Sequence, residues 1–301
     1  MDVARGALRR FGHLVIGMVA VGLASCAAGP YDSSARPDLR AQVLGTETPV
    51  VDVDVLVLTP AMQTMLDTRV RPIESPRERL DAIQKMMFGE GALAIRYVAA
   101  ATLNAAETFE SRVGNCLPLT NLFVASARYV GLDAVYEVAQ VRPTWDHAGQ
   151  AILRYEHIVA SGILPVSGAY VFDYLPQYAP GRSYMQAMTD NMALARYYNN
   201  VAVGDLLEGE LEAAREQLRV ALHLDADYSD AWSNMGTVQR RLARPDLAEY
   251  SYLQTLEVDP RNYTAMSNLA LVLEARGSKG PFARAVGYYR QRNPYHQYQP
   301  C

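Results

Sequence analysis

The sequence predicts an α+β domain followed by an all-α repeat region. Residues 50–180 place helical patterns first and strand-like runs after them, an order typical of α+β folds. From residue 195 the pattern turns helical, and similar residue types recur every 34 positions. Half of the 301 residues are hydrophobic and 20% are charged, which is enough apolar material for such cores and unlike the composition of a disordered chain.

The first 25 residues have the pattern of a targeting segment. Arginines precede an apolar stretch from Phe11 to Leu23 that is too short to cross a bilayer comfortably. Ala24 and Ser25 then precede Cys26, an arrangement that resembles the lipobox of bacterial lipoproteins. The resemblance implies cleavage before Cys26, lipid on its sulfur, and a place in the cell envelope at the periplasmic face of the outer membrane. An ordinary secretory signal that contains a cysteine is the alternative.

Residues 26–48 are rich in small and polar residues, and we expect a tether there before a domain at 49–182. The alternation of Val50–Leu58 predicts a strand. Ser75-Pro76-Arg77-Glu78 predicts a helix start, because it offers an N-cap, a proline at the first helical position and a capping box. Three later strand-like runs predict an antiparallel sheet: residues 134–141, 152–160 and 169–175.

The 34-residue spacing predicts packed helical hairpins. The recurring columns are Tyr198, Trp232 and Met266; Asn200, Asn234 and Asn268; and the small residues Ala202, Gly236 and Ala270. This pattern resembles the tetratricopeptide repeat over residues 195–294, as three repeats. The resemblance implies a short solenoid whose concave face binds a protein or peptide partner. Repeats that only buttress the first domain are the alternative.

Cys116 is the candidate nucleophile. Apolar residues at three- and four-residue spacing continue to Val130, and Pro118 is tolerated only in the first turn, so the helix must begin at about Asn115 or Cys116. A thiol at a helix N-terminus is expected to have a lowered pKa, because the dipole and the free N–H groups stabilise the thiolate. Asn115 is a candidate support residue or oxyanion donor.

Two further residues complete a possible catalytic set. His157 and Asp173 lie in strand-like runs after Cys116, where they would supply a base and an orienting carboxylate. His147 competes for the role of base. Cys26, Cys116 and Cys301 are far apart and no His-Glu-x-x-His occurs, so we expect no metal site and no cofactor. A formal net charge of −4 without long basic runs argues against a nucleic-acid partner.

The order Cys, His, Asp resembles the transglutaminase-like superfamily, over roughly residues 80–180. The resemblance implies a papain-like core and acyl transfer from a peptide or carboxamide to water or to an amine, with hydrolysis favoured. Leu117 and Pro118 depart from the small polar or aromatic residues that often follow the cysteine. The competing hypothesis is an idle scaffold whose repeats mediate protein interactions in the envelope. The matching residues around the cysteine are Thr102, Ala106, Glu107, Phe109, Arg112, Gly114, Asn115, Cys116, Leu122, Phe123, Ala125, Ala127, Arg128, Gly131 and Leu132.

Overall fold

A computed structural model describes residues 36–89, 92–99, 101–148, 151–174, 185–278 and 280; the side chains of 140–148 and 151–155 are not described. All described residues fall within one unit of the chain, Ser33–Cys301. The helices are α1 (Pro37–Leu44), α2 (Pro60–Arg69), α3 (Pro76–Phe88), α4 (Ala105–Ser111), α5 (Cys116–Tyr129), α6 (Asp190–Glu208), α7 (Leu211–Leu224), α8 (Ser229–Arg241), α9 (Pro245–Val258) and α10 (Tyr263–Ala275). The strands are β1 (Arg96–Tyr97), β2 (Val113–Gly114), β3 (Val135–Ala148), β4 (Ala151–Leu164), β5 (Gly168–Phe172) and β6 (Met185–Met188).

The α+β expectation is confirmed by an antiparallel sheet with strand order β5-β4-β3-β6. The three strand-like runs of the sequence become β3, β4 and β5, while β6 was not predicted. The pairing of β3 with β4 shifts register between Ala139 and Thr144, so the pairing is interrupted at Glu156 of β4. This irregularity frees the backbone of β4 beside His157 for other contacts.

Helix α5 forms the centre of the α+β core. Every side chain from Cys116 to Ala127 is buried, because the sheet covers one side of the helix and α2, α3 and α4 cover others. Phe123 of α5 stacks on Phe172 of β5 with ring centroids 3.9 Å apart. The predicted start of α3 is confirmed, since Ser75 caps it by accepting a hydrogen bond from the Glu78 N–H. The core therefore fixes the first turn of α5 against the middle of β4.

The segment before α2 differs from both sequence expectations. The strand predicted at Val50–Leu58 is wrong, because this segment pairs in neither sheet of the described chain: its first half contacts α6, and the Val55 carbonyl accepts from the Ala105 N–H of α4. There the Tyr198 hydroxyl donates to Asp52 at 2.8 Å and accepts from the Val53 N–H at 3.3 Å. The region expected to be a tether, 26–48, contains α1, which packs on the repeat helices α7 and α9.

The helical-repeat prediction is confirmed by the helix boundaries themselves. Helix α9 begins and ends 34 residues after α7, and α10 begins and ends 34 residues after α8. The small-residue column has the expected packing role at Gly236, where an added Cβ would lie 2.5 Å from the Tyr252 ring. The second helix expected in the third repeat, after α10, falls outside the described residues.

Candidate functional site

The sequence places Cys116 at a helix start, and the structure shows how that start is built. Asn115 is the N-cap of α5, and its side-chain oxygen accepts a hydrogen bond from the Leu117 N–H at 3.1 Å. The amide nitrogen of Asn115 donates to the Ala99 carbonyl at 3.0 Å. Asn115 is therefore both the cap of α5 and a link to the segment that follows β1.

The Cys116 thiol lies against the backbone of β4. Its Sγ donates to the carbonyl oxygen of Glu156 at 3.4 Å, next to His157 in the chain. One turn later, the Thr120 hydroxyl donates to the Ile158 carbonyl at 3.2 Å. Two side chains of α5 thus hold the stretch of β4 that carries His157.

The predicted lowering of the thiol pKa is wrong. Burial raises the pKa of Cys116 to about 11, because the side chain loses the solvent that would stabilise a thiolate. The backbone N–H groups of Ile158, Leu117 and Cys116 lower this pKa, and the Glu156 carboxylate raises it, both by less than burial does. The helix N-terminus acts as expected but is outweighed by desolvation, so the thiol at rest is protonated.

His157 and Asp173 meet as the sequence proposed. The Nε2 of His157 lies 2.9 Å from Oδ2 of Asp173, and the two side chains are 9% and 5% exposed. In the tautomer that carries its proton on Nε2, the ring donates to this carboxylate, and Nδ1 is the ring nitrogen that does not contact Asp173. The Tyr174 ring lies beside that of His157, tilted by 51° with centroids 6.0 Å apart, and it stacks on Tyr97 at 5.3 Å.

Within the described chain, no hydrogen bond joins the Cys116 sulfur to the His157 ring. The sulfur is held by the backbone beside His157, and the imidazole is held by Asp173. The three candidate residues therefore belong to one buried neighbourhood, but the thiol and the imidazole are not linked in this state. Proton exchange between them requires the thiol to leave the Glu156 carbonyl.

Arg196 ties this neighbourhood to the repeats, and sequence reasoning missed it. Its guanidinium, 9% exposed, donates to Glu156 at 2.8 Å, lies 3.5 Å from a carboxylate oxygen of Asp225, and stacks over the Tyr228 ring at 4.4 Å. Glu156 belongs to β4, while Arg196 belongs to α6. The available signal was a single arginine among the small and aromatic residues that open the repeat pattern.

The repeat surface carries a second candidate site, which sequence reasoning also missed. Leu39 and Val43 of α1 are buried in the same apolar cluster as Trp232, and Arg40 lies over the Trp232 ring at 5.8 Å. Arg219 of α7 donates to the Leu44 carbonyl at 2.6 Å, at the end of α1. Beside Arg40 is a cavity of about 450 Å³, lined also by Asp227, Trp232, Gln254 and Glu257.

Other predicted sites are not described. Cys26 and Cys301 lie outside the described residues, and the His147 side chain is among those not described. The part of the chain that is described contains no group of His, Cys, Asp and Glu arranged to hold a metal ion. It also contains no helix that is both long and apolar enough to span a membrane.

No protein-family model matches the chain. It is similar to part of "Protein O-mannosyl-transferase TMTC3" of Homo sapiens, 27% identical over 124 residues, which is 41% of this chain and 13% of that protein. The Mus musculus protein of the same name is 31% identical over 98 residues, 33% of this chain and 10% of that one. The chain therefore spans about a tenth of the length of these relatives.

Among solved structures, "Crystal structure of MamA" is similar with a TM-score of 0.30 and 22% identity, covering 34% of this chain and 58% of that one. A TM-score of 0.30 does not establish a shared fold. The 34-residue recurrence of whole helices defines a helical-repeat protein joined to an α+β region. None of the comparisons supports the resemblance to the transglutaminase-like superfamily.

Proposed function

We propose that this chain is a protein-binding scaffold built on its helical repeats. The observation that carries the proposal is the docking of α1, because the repeat surface holds a short helix by burying Leu39 and Val43 and by bonding to a backbone carbonyl. Helix-in-groove recognition uses these same contacts between proteins. The α+β region supports the repeats from the side of α6.

The relatives agree with the repeat part of this proposal and with nothing more specific. Their name describes transfer of mannose, but the chain spans 13% of the human protein and 10% of the mouse protein, which is too little to carry that activity over to this chain. What supports a scaffold is the combination of repeated helices with a bound segment.

Site-specific photo-crosslinking in cells tests the scaffold. A photoreactive amino acid is placed at Val258 or at Tyr263 on the repeats, which are 38% and 40% exposed, and at Val166 in the β4–β5 turn, which is 96% exposed, as the matched control. We expect discrete protein adducts from the repeat positions and none from Val166. Cys116→Ala should leave the adducts unchanged. Equal adducts from Val166, or none from the repeats, would contradict the scaffold.

A second candidate function is acyl transfer at Cys116, and the buried His157–Asp173 contact favours it. Such a pair fixes the orientation and tautomer of an imidazole, which is the role of the base and its partner in cysteine-dependent hydrolases. The resemblance of residues 80–180 to the transglutaminase-like superfamily points to the same chemistry. This candidate requires the thiol to move from the Glu156 carbonyl towards Nδ1 of His157.

In that mechanism the thiol gives its proton to Nδ1 of His157 and the sulfur attacks a carbonyl carbon. The imidazolium then protonates the departing amine, which leaves a thioester on Cys116. Water or an amine attacks the thioester, His157 accepts the proton of the attacking group, and the thiol is restored. Asp173 stabilises the imidazolium throughout.

Labelling with a peptide-derived electrophile tests the second candidate. If acyl transfer is the function, the purified chain is labelled at Cys116, and both His157→Ala and Asp173→Asn reduce the rate at a pH where the thiol remains protonated. Thr108→Val, which changes a buried residue of α4, is the control for general loosening of the fold. A labelling rate that is unchanged in His157→Ala and Asp173→Asn would contradict acyl transfer and leave the scaffold as the remaining candidate function.

We also propose that Cys26 is lipidated and holds the chain at the envelope, as its lipobox-like surroundings suggest. Metabolic labelling with a palmitate analogue should mark the wild-type chain and fail to mark Cys26→Ser. A chain that fractionates with the membrane in both forms would contradict this proposal.

A further inference from the structure

Helix α1 has little to keep it helical except the repeat surface. It comprises eight residues, and its N-cap Arg36 makes no side-chain capping bond. Isolated helices of this length are not stable in water, so the fold of Pro37–Leu44 depends on its contacts with α7 and α9. The helical fold of this segment therefore depends on docking to the repeats, as that of a short bound peptide would.

The docking contacts divide into three kinds. Leu39 and Val43, four residues apart on one helix face, are 6% and 0% exposed. Arg40, an exposed residue next to this face, reaches the Trp232 ring and the Gln254 side chain, where its guanidinium lies 3.4 Å from the amide oxygen. Arg219 bonds to the last carbonyl of α1, a contact that any helix end would satisfy.

The groove itself is suited to a cation beside the two apolar anchors. Asp227 and Glu257 line the cavity beside Arg40, and the face of Trp232 offers a cation–π contact. An acidic residue in place of Arg40 would be repelled by these carboxylates, of which Glu257 also accepts a hydrogen bond from Gln254 at 2.6 Å. The charges that line the groove thus favour a basic residue at this helix position.

We propose that this groove, formed by α7, α8 and α9, binds a helical segment of a partner protein that carries a basic residue directly after the first of two apolar residues spaced by four, and that α1 is a built-in competitor for it. This inference rests on the proposed scaffold function and names its partner chemistry. Partner binding then requires release of α1, so affinity for the partner depends on how firmly α1 docks.

Fluorescence anisotropy with a labelled peptide of residues 36–48 tests the proposal on the full chain. Leu39→Asp with Val43→Asp releases α1, and Ala41→Asp with Gln42→Asp adds the same charge on the exposed face of α1 as the matched control. We expect the released variant to bind the peptide at least tenfold more tightly than wild type and the control. A second releasing variant, Arg219→Ala, weakens the docking without placing charge in the core, and circular dichroism verifies its fold.

The charge requirement is tested by exchange. A peptide with Arg40→Glu should lose at least tenfold in affinity for the released variant and should regain it when the protein carries Glu257→Lys. Equal binding by wild type and both releasing variants would overturn the competitor role and leave the scaffold standing. If the folded releasing variants did not bind the peptide, the repeat surface would not be a helix-binding surface, and the scaffold proposal would also be contradicted. Concentration-dependent dimers of the released variant with wild type would assign the groove to a second copy and overturn the proposal.

Discussion

Alkylation of Cys116 by iodoacetamide should be slow at neutral pH and should accelerate until the solution is strongly alkaline. Replacing Cys26 and Cys301 by serine leaves Cys116 as the reactive thiol of the chain. Only the thiolate reacts, and burial raises the pKa from 9.0 to about 11. At about pH 8 this difference reduces the thiolate fraction roughly 100-fold relative to an unperturbed thiol.

The assay is the second-order alkylation rate as a function of pH, with the urea-unfolded chain as the reference. The folded rate should rise about tenfold for each pH unit and should not level off below the unfolded inflection. Glu156→Gln should lower the inflection, because that carboxylate raises the thiol pKa. An inflection near pH 7 in the folded wild type would show that burial does not raise the thiol pKa. It would also favour acyl transfer, because the resting protein would then carry a thiolate at neutral pH.

The same shift has a consequence for stability. A group whose pKa is higher in the folded state stabilises that state below the unfolded pKa and loses this contribution as the pH rises towards the folded pKa. For Cys116 the window runs from 9.0 to about 11. Over it, the wild type should lose about 2–3 kcal/mol of unfolding free energy relative to Cys116→Ala, measured by urea denaturation at each pH.

Three further predictions concern the structure around the two candidate sites. Gly236→Ala should destabilise the fold by about 1–3 kcal/mol, because its Cβ would overlap the Tyr252 ring, whereas Gly204→Ala, in open space within α6, should stabilise by about 0.5–1 kcal/mol in thermal melts. Arg196→Met should cost about 3–5 kcal/mol because two carboxylates lose a buried partner, while Arg77→Met in an exposed pair should change stability by less than about 1 kcal/mol. Asn115→Ala should lower the unfolding free energy by about 0.5–2 kcal/mol, because α5 loses its cap. Asn115→Ser keeps a capping oxygen but lacks the amide that donates to the Ala99 carbonyl, so the protein should remain nearly as destabilised if this link matters more than the cap.

What the sequence predicts best is what depends on local spacing. The helix start at Cys116 follows from Pro118, which cannot occupy any later turn, and the structure has α5 begin there. The repeat follows from columns of residues 34 apart, and the helices recur with that shift because each hairpin packs like the one before it. Both inferences need no knowledge of distant contacts.

What the sequence does not predict depends on contacts between distant parts of the chain. Arg40 and Gln254 are 214 positions apart, so no local pattern announces that α1 docks on the repeats. The alternation of Val50–Leu58 is real, but Tyr198 offers the Asp52 segment hydrogen bonds that compete with pairing in a sheet. The prediction of a lowered Cys116 pKa failed for the same reason, because the sequence shows that the thiol lies at a helix N-terminus but not how deeply it is buried.

The two candidate functions converge on Glu156. Its backbone carbonyl holds the Cys116 thiol, and its side chain is held by Arg196 from the first repeat helix. A thiol that reacts must leave this carbonyl, and the ease of leaving depends on how rigidly the strand is fixed. Because the repeats supply the guanidinium that fixes it, an acyl-transfer function would have to be sensitive to Arg196, whereas a pure scaffold would show the effect of Arg196→Met in stability alone. Comparing the turnover of a peptide amide and the melting temperatures of Arg196→Lys, which keeps the charge, with those of Arg196→Met therefore separates the two functions at a residue outside the proposed catalytic set.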